Sequence, residues 1–459
     1  MERRSDERMT EHPLVPRLAE PTGIAPAVVA GIVTAVVGFT SSFAVVLAGL
    51  HAVGGTTDQA ASGLLVLCLT MGAGSILFSW RLKIPMTMAW STPGAALLAG
   101  STVPSKGFGA SVLAFALTGM LIALCGLIKP LGVAVSAIPP ALANAMLAGI
   151  LLTLCVEPFK ALSVSPVAIA PVLLSWLVLM RVARRWAVPG ALGVALIVIW
   201  ISGSFSHLAG ARLAPVLVGV APAWEPATIV SIALPLFLVT MTSQNIPGMA
   251  VLGSFGYRPP LAPPLIYTGG ATVVGSFAGA HAINLAAISA ALAAGPSANP
   301  DPARRWVAGV TCGVVYVVLG PASALVAAVS VAAPAGIMAA IAGLALIGTF
   351  ASAAGSALTD GTHREAAAVT FLIAASGVAF AGIGAAFWGL LAGATYLLVL
   401  RIPSCSSSRG GSRASAGFAR CRRAGGTESG AAKVTRGAAL ARHEDHVEER
   451  QSWKGSPEK

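Results

Sequence analysis

Charge is what this sequence has least of. Asp, Glu, Lys and Arg supply 10% of its 459 residues, while 56% are hydrophobic; soluble domains carry about 25% charged residues. Water could not solvate such a surface, which excludes a soluble enzyme, a nucleic-acid-binding domain and a secreted disulfide scaffold. Cysteine is scarce too. Cys68, Cys125, Cys155, Cys312, Cys405 and Cys421 form no CxxC pair and no His/Cys metal spacing. Four of them lie in apolar runs, where Cys behaves as a small hydrophobe. No short apolar stretch with a cleavage site opens the chain, so no cleaved signal peptide is expected. A phosphate loop, a catalytic triad and a metal constellation are all missing, which argues against an enzyme, a cofactor and an ATP-driven pump.

Long apolar runs are what the chain does have, and a crossing helix needs about 20 such residues. Candidates are Ala27–Leu50, Ala61–Trp80, Ala110–Leu127, Ala141–Val156, Val167–Val182, Ala187–Phe205, Ala227–Met241, Leu261–Ala278, Val307–Val329, Gly336–Ala354, Ala366–Ala381 and Ile383–Leu400. Two more, Met86–Gly100 and Gly279–Ala294, are short and marked by Gly, Ser, Thr or Asn. Counting both predicts an all-α polytopic membrane protein of about fourteen segments, with the third and tenth broken. The net charge of +12 supports that count by its location. With a cytoplasmic N-terminus, the even-numbered loops hold Arg81, Lys83, Lys129, Arg181, Arg184, Arg185, Arg258, Arg304, Arg305 and Arg364, and the odd-numbered ones only Lys106, Lys160 and Arg212. Positive loops face the cytoplasm, and dropping one short segment would mix the two classes. Both termini are therefore expected to be cytoplasmic.

Fourteen segments divide as seven plus seven, and an odd number per repeat inverts the second copy. The expected organisation is a cytoplasmic segment over 1–26, the first repeat over 27–209, an extracytoplasmic linker over 210–226, the second repeat over 227–401 and a disordered basic cytoplasmic tail over 402–459. That tail is rich in Gly, Ser and Ala and has no apolar periodicity.

Ionisable groups are nearly absent inside the segments, so polar uncharged ones stand out. Thr240–Leu252 places Gln244 and Asn245 beside hydroxyls and just before Pro247 and Gly248. A proline removes one helix hydrogen bond and clashes with a carbonyl upstream, and hydrocarbon tolerates loosened backbone only around a protein cavity. A binding site is the reading favoured here; packing of helices through polar side chains is the alternative. In the tenth segment a short helix starting near His281 would bring Asn284 onto the same face and aim free N–H groups at the bilayer centre, a ready anion site. The third segment, with Ser91, Thr92 and Pro93, reads likewise. Two ordinary short spans are the alternative. Histidine ordinarily titrates near neutral pH, which makes His281 the candidate for proton coupling; a hydrogen bond to a neighbouring helix is its bland explanation. Glu157 and Lys160 read as an interfacial ion pair. Asp360, His363, Arg364 and Glu365 read as a solvated cluster, and Arg304-Arg305-Trp306 as an interfacial anchor.

The runs TSQNIPGMAVL, GAHAINLAAISAAL, PDPARRWVAG, STPGAALLAG and LTDGTHREAAAVTFL strongly resemble the bacterial benzoate:proton symporter family, across essentially residues 27–401. The resemblance implies a multi-pass inner-membrane secondary transporter importing benzoate or a related aromatic carboxylate with protons. The family is distantly similar to nucleobase–ascorbate transporters and sulfate permeases, which implies core and gate domains and a substrate held between the third and tenth segments. By that analogy Ser91, Thr92, Gln244, Asn245, His281 and Asn284 face the substrate; for the ring, an apolar pocket lined by residues such as Phe43 or Trp90 is expected. Nucleobase carriers use an acidic residue on the eighth segment where this chain has Gln244 and Asn245, so their proton route does not transfer. Expected partners are the aromatic carboxylate, protons and the lipid bilayer, with a homodimer left open and no nucleic acid. A channel-like anion conductor, or a carrier of another small organic anion or a nucleobase, is the competing function.

Overall fold

The computed structural model describes residues 23–128, 130–132, 139–204, 206, 213–287, 289–359 and 361–401. The tail from 402, the N-terminal residues to 22, and Lys129, Arg212 and Asp360 lie outside them.

The first segment is α1 (Ala25–Thr40) followed by α2 (Phe43–Ala52). The break between them falls where three hydroxyls meet. Thr40 Oγ1 donates to the Val36 carbonyl at 2.6 Å, and Ser41 and Ser42 both donate to the Gly38 carbonyl, at 3.2 and 3.0 Å. Such back-bonding bends a helix. The second segment, α3 (Thr57–Leu82), opens on a capping box made by Thr56 and Gln59. Segment three is a strand, β1 (Met88–Trp90), then a half helix, α4 (Thr92–Ala99). α5 (Phe108–Leu127), α6 (Pro140–Val164), α7 (Pro166–Val182) and α8 (Ala187–Ile201) complete the first half.

The second half repeats the order. α9 (Pro226–Ser254) and α10 (Ala262–Ser276) precede β2 (Ile283–Leu285) and a half helix, α11 (Ala290–Ala294). α12 (Trp306–Leu319), α13 (Ser323–Ala332), α14 (Ile337–Thr359), α15 (Arg364–Ser376) and α16 (Ala385–Arg401) follow. Among the described residues eight helical stretches are long and apolar enough to cross a membrane. α7 and α16 are shorter apolar helices. Side chains exposed on the outside, such as Val167, Leu177, Val178, Trp200 and Ile201, suit lipid rather than water.

Packing sorts the helices into two groups. α3 and α1 lie against α12, α5 against α10, and α2 against α4; separately, α6 packs on α14 and α15, α15 on α16, and α7 on α8. The first group carries both broken segments. Two of its close crossings are made alike. A Cβ on Gly72 of α3 would meet the Gly313 carbonyl of α12 at 2.7 Å, and one on Gly119 of α5 would meet the Gly269 carbonyl of α10 at 2.6 Å. In an inverted repeat α10 is the counterpart of α3 and α12 that of α5, so these are the same contact made twice. Small residues at such crossings let backbones approach. Gly269→Ala is expected to lower the detergent melting temperature by several degrees, as overpacking costs about 1–3 kcal/mol. Gly270→Ala, whose Cβ would meet nothing within 4 Å, is the control, and equal melting of the two variants would refute the crossing's role.

The linker ahead of α9 lies against the first group of helices. Val218 N–H donates to Ser62 Oγ at 3.0 Å, Val220 N–H to the Phe277 carbonyl at 2.7 Å and Ala223 N–H to the Gly109 carbonyl at 2.9 Å. The Glu225 carboxylate accepts from the N–H groups of Ser105 and Lys106 at 3.2 and 2.9 Å.

Candidate functional site

β1 and β2 pair antiparallel, with Met88 opposite Leu285, Ala89 opposite Asn284 and Trp90 opposite Ile283. The ladder continues beyond the named strands, since Ser91 N–H donates to the Ala282 carbonyl and Ala286 N–H to the Thr87 carbonyl, both at 2.9 Å. Extended backbone inside a bilayer needs every polar group matched, and the preceding helices supply hydroxyls for this. Ser75 Oγ of α3 accepts from Met88 N–H at 2.8 Å and donates to the Met71 carbonyl at 2.8 Å; Thr272 Oγ1 of α10 accepts from Ile283 N–H at 3.1 Å and donates to the Thr268 carbonyl at 2.7 Å. Both hydroxyls stand three residues after the glycine of their helix crossing. The two repeats thus secure their strands by one device.

Segment ten departs from the expectation at one point. No helix begins near His281; the chain stays extended through Leu285 and the half helix starts at Ala290. Side chains alternate along a strand, so His281 and Asn284 do not share a face. Ala89 and Asn284 point to one side together with Ser91. Trp90 and Ile283 point to the other, and the alternation carried back two residues puts His281 with them.

The eighth segment meets the Ser91–Asn284 side. α9 is interrupted by two π-helical turns, Ile229–Ala233 and Met241–Asn245. Each comes two residues before a proline, Pro235 or Pro247, where a wider turn eases the clash between the proline ring and the carbonyl four residues back. The second turn projects the polar run at the strands. Ser91 Oγ shares a hydrogen bond with Thr240 Oγ1 at 2.8 Å and caps α4 by accepting from Gly94 N–H at 3.1 Å. Asn245 Oδ1 accepts from Leu285 N–H at 2.9 Å. Asn284, with its amide oriented to satisfy both partners, accepts from Ser91 N–H at 3.0 Å and donates to the Leu285 carbonyl at 2.8 Å. Thr92 is the half-buried first residue of α4.

Other polar groups here are unengaged. Ser243 Oγ, Thr87 Oγ1 and both ring nitrogens of His281 are buried without a hydrogen-bond partner of good geometry. The Gln244 side chain is buried and makes no hydrogen bond among the described residues. Of the expected site residues, Ser91, Asn245 and Asn284 are therefore committed to holding the strands, while Gln244 and His281 keep free hydrogen-bonding capacity. Thr240, Thr87 and Ser243 belong to this constellation too. The run of polar residues around Gln244 signalled two of them; nothing local distinguishes Thr87.

Phe43 and Trp90 come together through a third ring. Phe39 stacks on Phe43 and meets Trp90 edge-on, each with centroids 5.6 Å apart, and Trp90 Nε1 donates to Ser42 Oγ at 2.9 Å. Tyr316 extends this cluster. It lies behind the strand pair, on the side away from Asn284. Arg305 also departs from its expected place: it is buried against three carbonyls rather than set at the lipid headgroups. Trp306 instead takes the Lys83 ammonium over its ring, 3.7 Å from the centroid.

Two half helices meeting a strand pair, with uncharged donors around it, form a site suited to a small anion. The pattern described as benzoate membrane transport protein matches residues 23–399. The chain belongs to that family, one of membrane transporters and not of enzymes. It is 35% identical over 378 residues to the inner membrane protein YdcO of Escherichia coli K12, covering 82% of this chain and 96% of that one. It is 30% identical over 388 residues to the benzoate membrane transport protein of Acinetobacter baylyi, covering 83% and 96%. Among solved structures, the transmembrane domain of the cyanobacterial bicarbonate transporter BicA superposes with a TM-score of 0.51 at 15% identity, over 83% of this chain and 97% of that one. The shared fold is the seven-plus-seven inverted repeat with core and gate domains.

Proposed function

We propose that the protein imports benzoate or a closely related aromatic carboxylate together with protons across the bacterial inner membrane, with both termini cytoplasmic. The observation that carries this reading is the unengaged amide of Gln244 beside the strand pair, in a chain whose relatives include a benzoate transport protein. The carboxylate is held by the Gln244 amide, the Ser243 hydroxyl and the first turn of α4 around Thr92, whose positive end favours an anion. Such donors bind without a fixed cation, so release on the other side stays easy. Phe43 and Trp90 stiffen the strand pair from behind. His281 takes up the coupled proton, and the core then moves against the gate to expose the site on the opposite face.

Uptake of labelled benzoate into proteoliposomes under an imposed pH gradient tests this. Saturable accumulation is expected, several-fold above the gradient-free level, with ring-substituted benzoates competing and nucleobases not. Accumulation indifferent to the gradient would remove proton coupling, and flux without saturation would mark a conductor.

A further inference from the structure

α11 has five residues, about one and a half turns, too few to persist by themselves. Arg305 secures its far end. Nη1 donates to the carbonyl of Ala294, the last residue of α11, at 3.0 Å. Nε donates to the Asn299 carbonyl at 2.6 Å and Nη2 to the Pro300 carbonyl at 3.3 Å. The cation thus rests on the negative end of the half helix. Arg305 is the one buried Asp, Glu, Lys or Arg among the described residues, and no carboxylate among them pairs with it. Three divergent carbonyls suit a rigid guanidinium fork and not an ammonium, which is a single point of charge.

The loop Arg305 grips is tied down from two further elements. Asn299 Nδ2 donates to the Gly23 carbonyl ahead of α1 at 3.1 Å, and Tyr257 OH, beyond the end of α9, donates to the Pro302 carbonyl at 2.9 Å. Among the described residues segment three has no such clamp. α4 is longer, is capped by Ser91, and closes with main-chain bonds from Gly100 and Ser101 and with Ser101 Oγ on the Leu97 carbonyl at 2.8 Å. The charged clamp therefore serves the repeat whose half helix is the shorter.

We infer that Arg305 is a positioning residue: through Ala294 it fixes α11, and with it the strand and half helix of segment ten against which the substrate is held. This rests on the transport reading above. The experiment takes the full chain in proteoliposomes, as wild type and Arg305→Lys. It measures benzoate uptake against concentration, and hydrogen exchange of the stretch 286–300. Arg305→Lys is expected to raise KM about tenfold with Vmax within about twofold, and to speed exchange about tenfold in that stretch while α3 keeps its protection. An unchanged KM overturns the positioning role, and unchanged exchange overturns the clamp. Should wild type fail to take up benzoate, the transport reading falls and exchange still decides the clamp. Should Arg305→Lys not reach the membrane, Tyr257→Phe removes one bond from the same loop. It is then expected to raise KM about threefold with faster exchange; no change in either quantity overturns the proposal.

Discussion

Asn245→Ala is expected to cut benzoate uptake at least about tenfold and to lower the melting temperature with it, whereas Gln244→Ala raises KM about tenfold and leaves melting unchanged. The two amides are adjacent and do different work. Asn245 Oδ1 is the acceptor for Leu285 N–H, a buried strand donor with no water to turn to. Removing that acceptor leaves a main-chain N–H unsatisfied, at a cost of about 1–3 kcal/mol. It also unhooks β2 from the wide turn of α9, so the site loosens as the fold weakens. Among the described residues the buried Gln244 side chain has no hydrogen-bond partner; truncating it is expected to break no bond of the fold and to remove the proposed donor for the carboxylate. Thermal unfolding in detergent and uptake kinetics on both variants separate the roles. Equal destabilisation by the two would show that Gln244 is structural, and the carboxylate would need another donor.

His281→Gln is expected to bring uptake under an inward proton gradient down to the gradient-free level, while leaving exchange of labelled for unlabelled benzoate within about threefold of wild type. Glutamine keeps a polar side chain of similar reach and cannot titrate near neutrality. His281 is fully buried, and neither ring nitrogen has a partner of good geometry, so a proton arriving there is not already spoken for. By the strand alternation it sits behind the ladder and the candidate carboxylate donors in front. Proton and anion are then handled on two faces of one strand pair, coupled through its backbone. Gradient-driven uptake that survives the substitution would place the proton elsewhere and make His281 a packing residue.

Much of this fold is legible from hydropathy alone, because lipid imposes apolar runs of a set length. The breaks in segments three and ten are legible as well, in their shortness and their Gly, Ser and Asn content. The start of the second half helix is not. Ile283–Leu285 stays extended because its partner Met88–Trp90 lies in the other half of the chain, and local preference carries no trace of a pairing so distant. That single displacement separates His281 from Asn284. The Gly72–Gly313 and Gly119–Gly269 crossings are hidden for a similar reason: with 51 glycines in the chain, only contact distinguishes these four. Arg305 misleads in the opposite sense. Its setting beside Trp306 and a second arginine is that of a headgroup anchor, and nothing nearby reveals that three carbonyls converge on it. Around Gln244 and Asn245 the loosened backbone is legible because a proline inside an apolar run leaves few options, and the π-helical turn is how the chain resolves that constraint.

The seam between β1 and β2 has one more consequence. It is stitched by main-chain atoms, with Ser75, Thr272, Asn245 and Asn284 as side-chain buttresses along the strands. Main-chain bonds do not depend on which side chains flank them. Ala89, the half-buried middle residue of β1, is thus the position of that strand where a substitution is expected to disturb the seam least. A change of side chain there alters what flanks the strand pair and leaves the main-chain ladder, and the helices it joins, as they were.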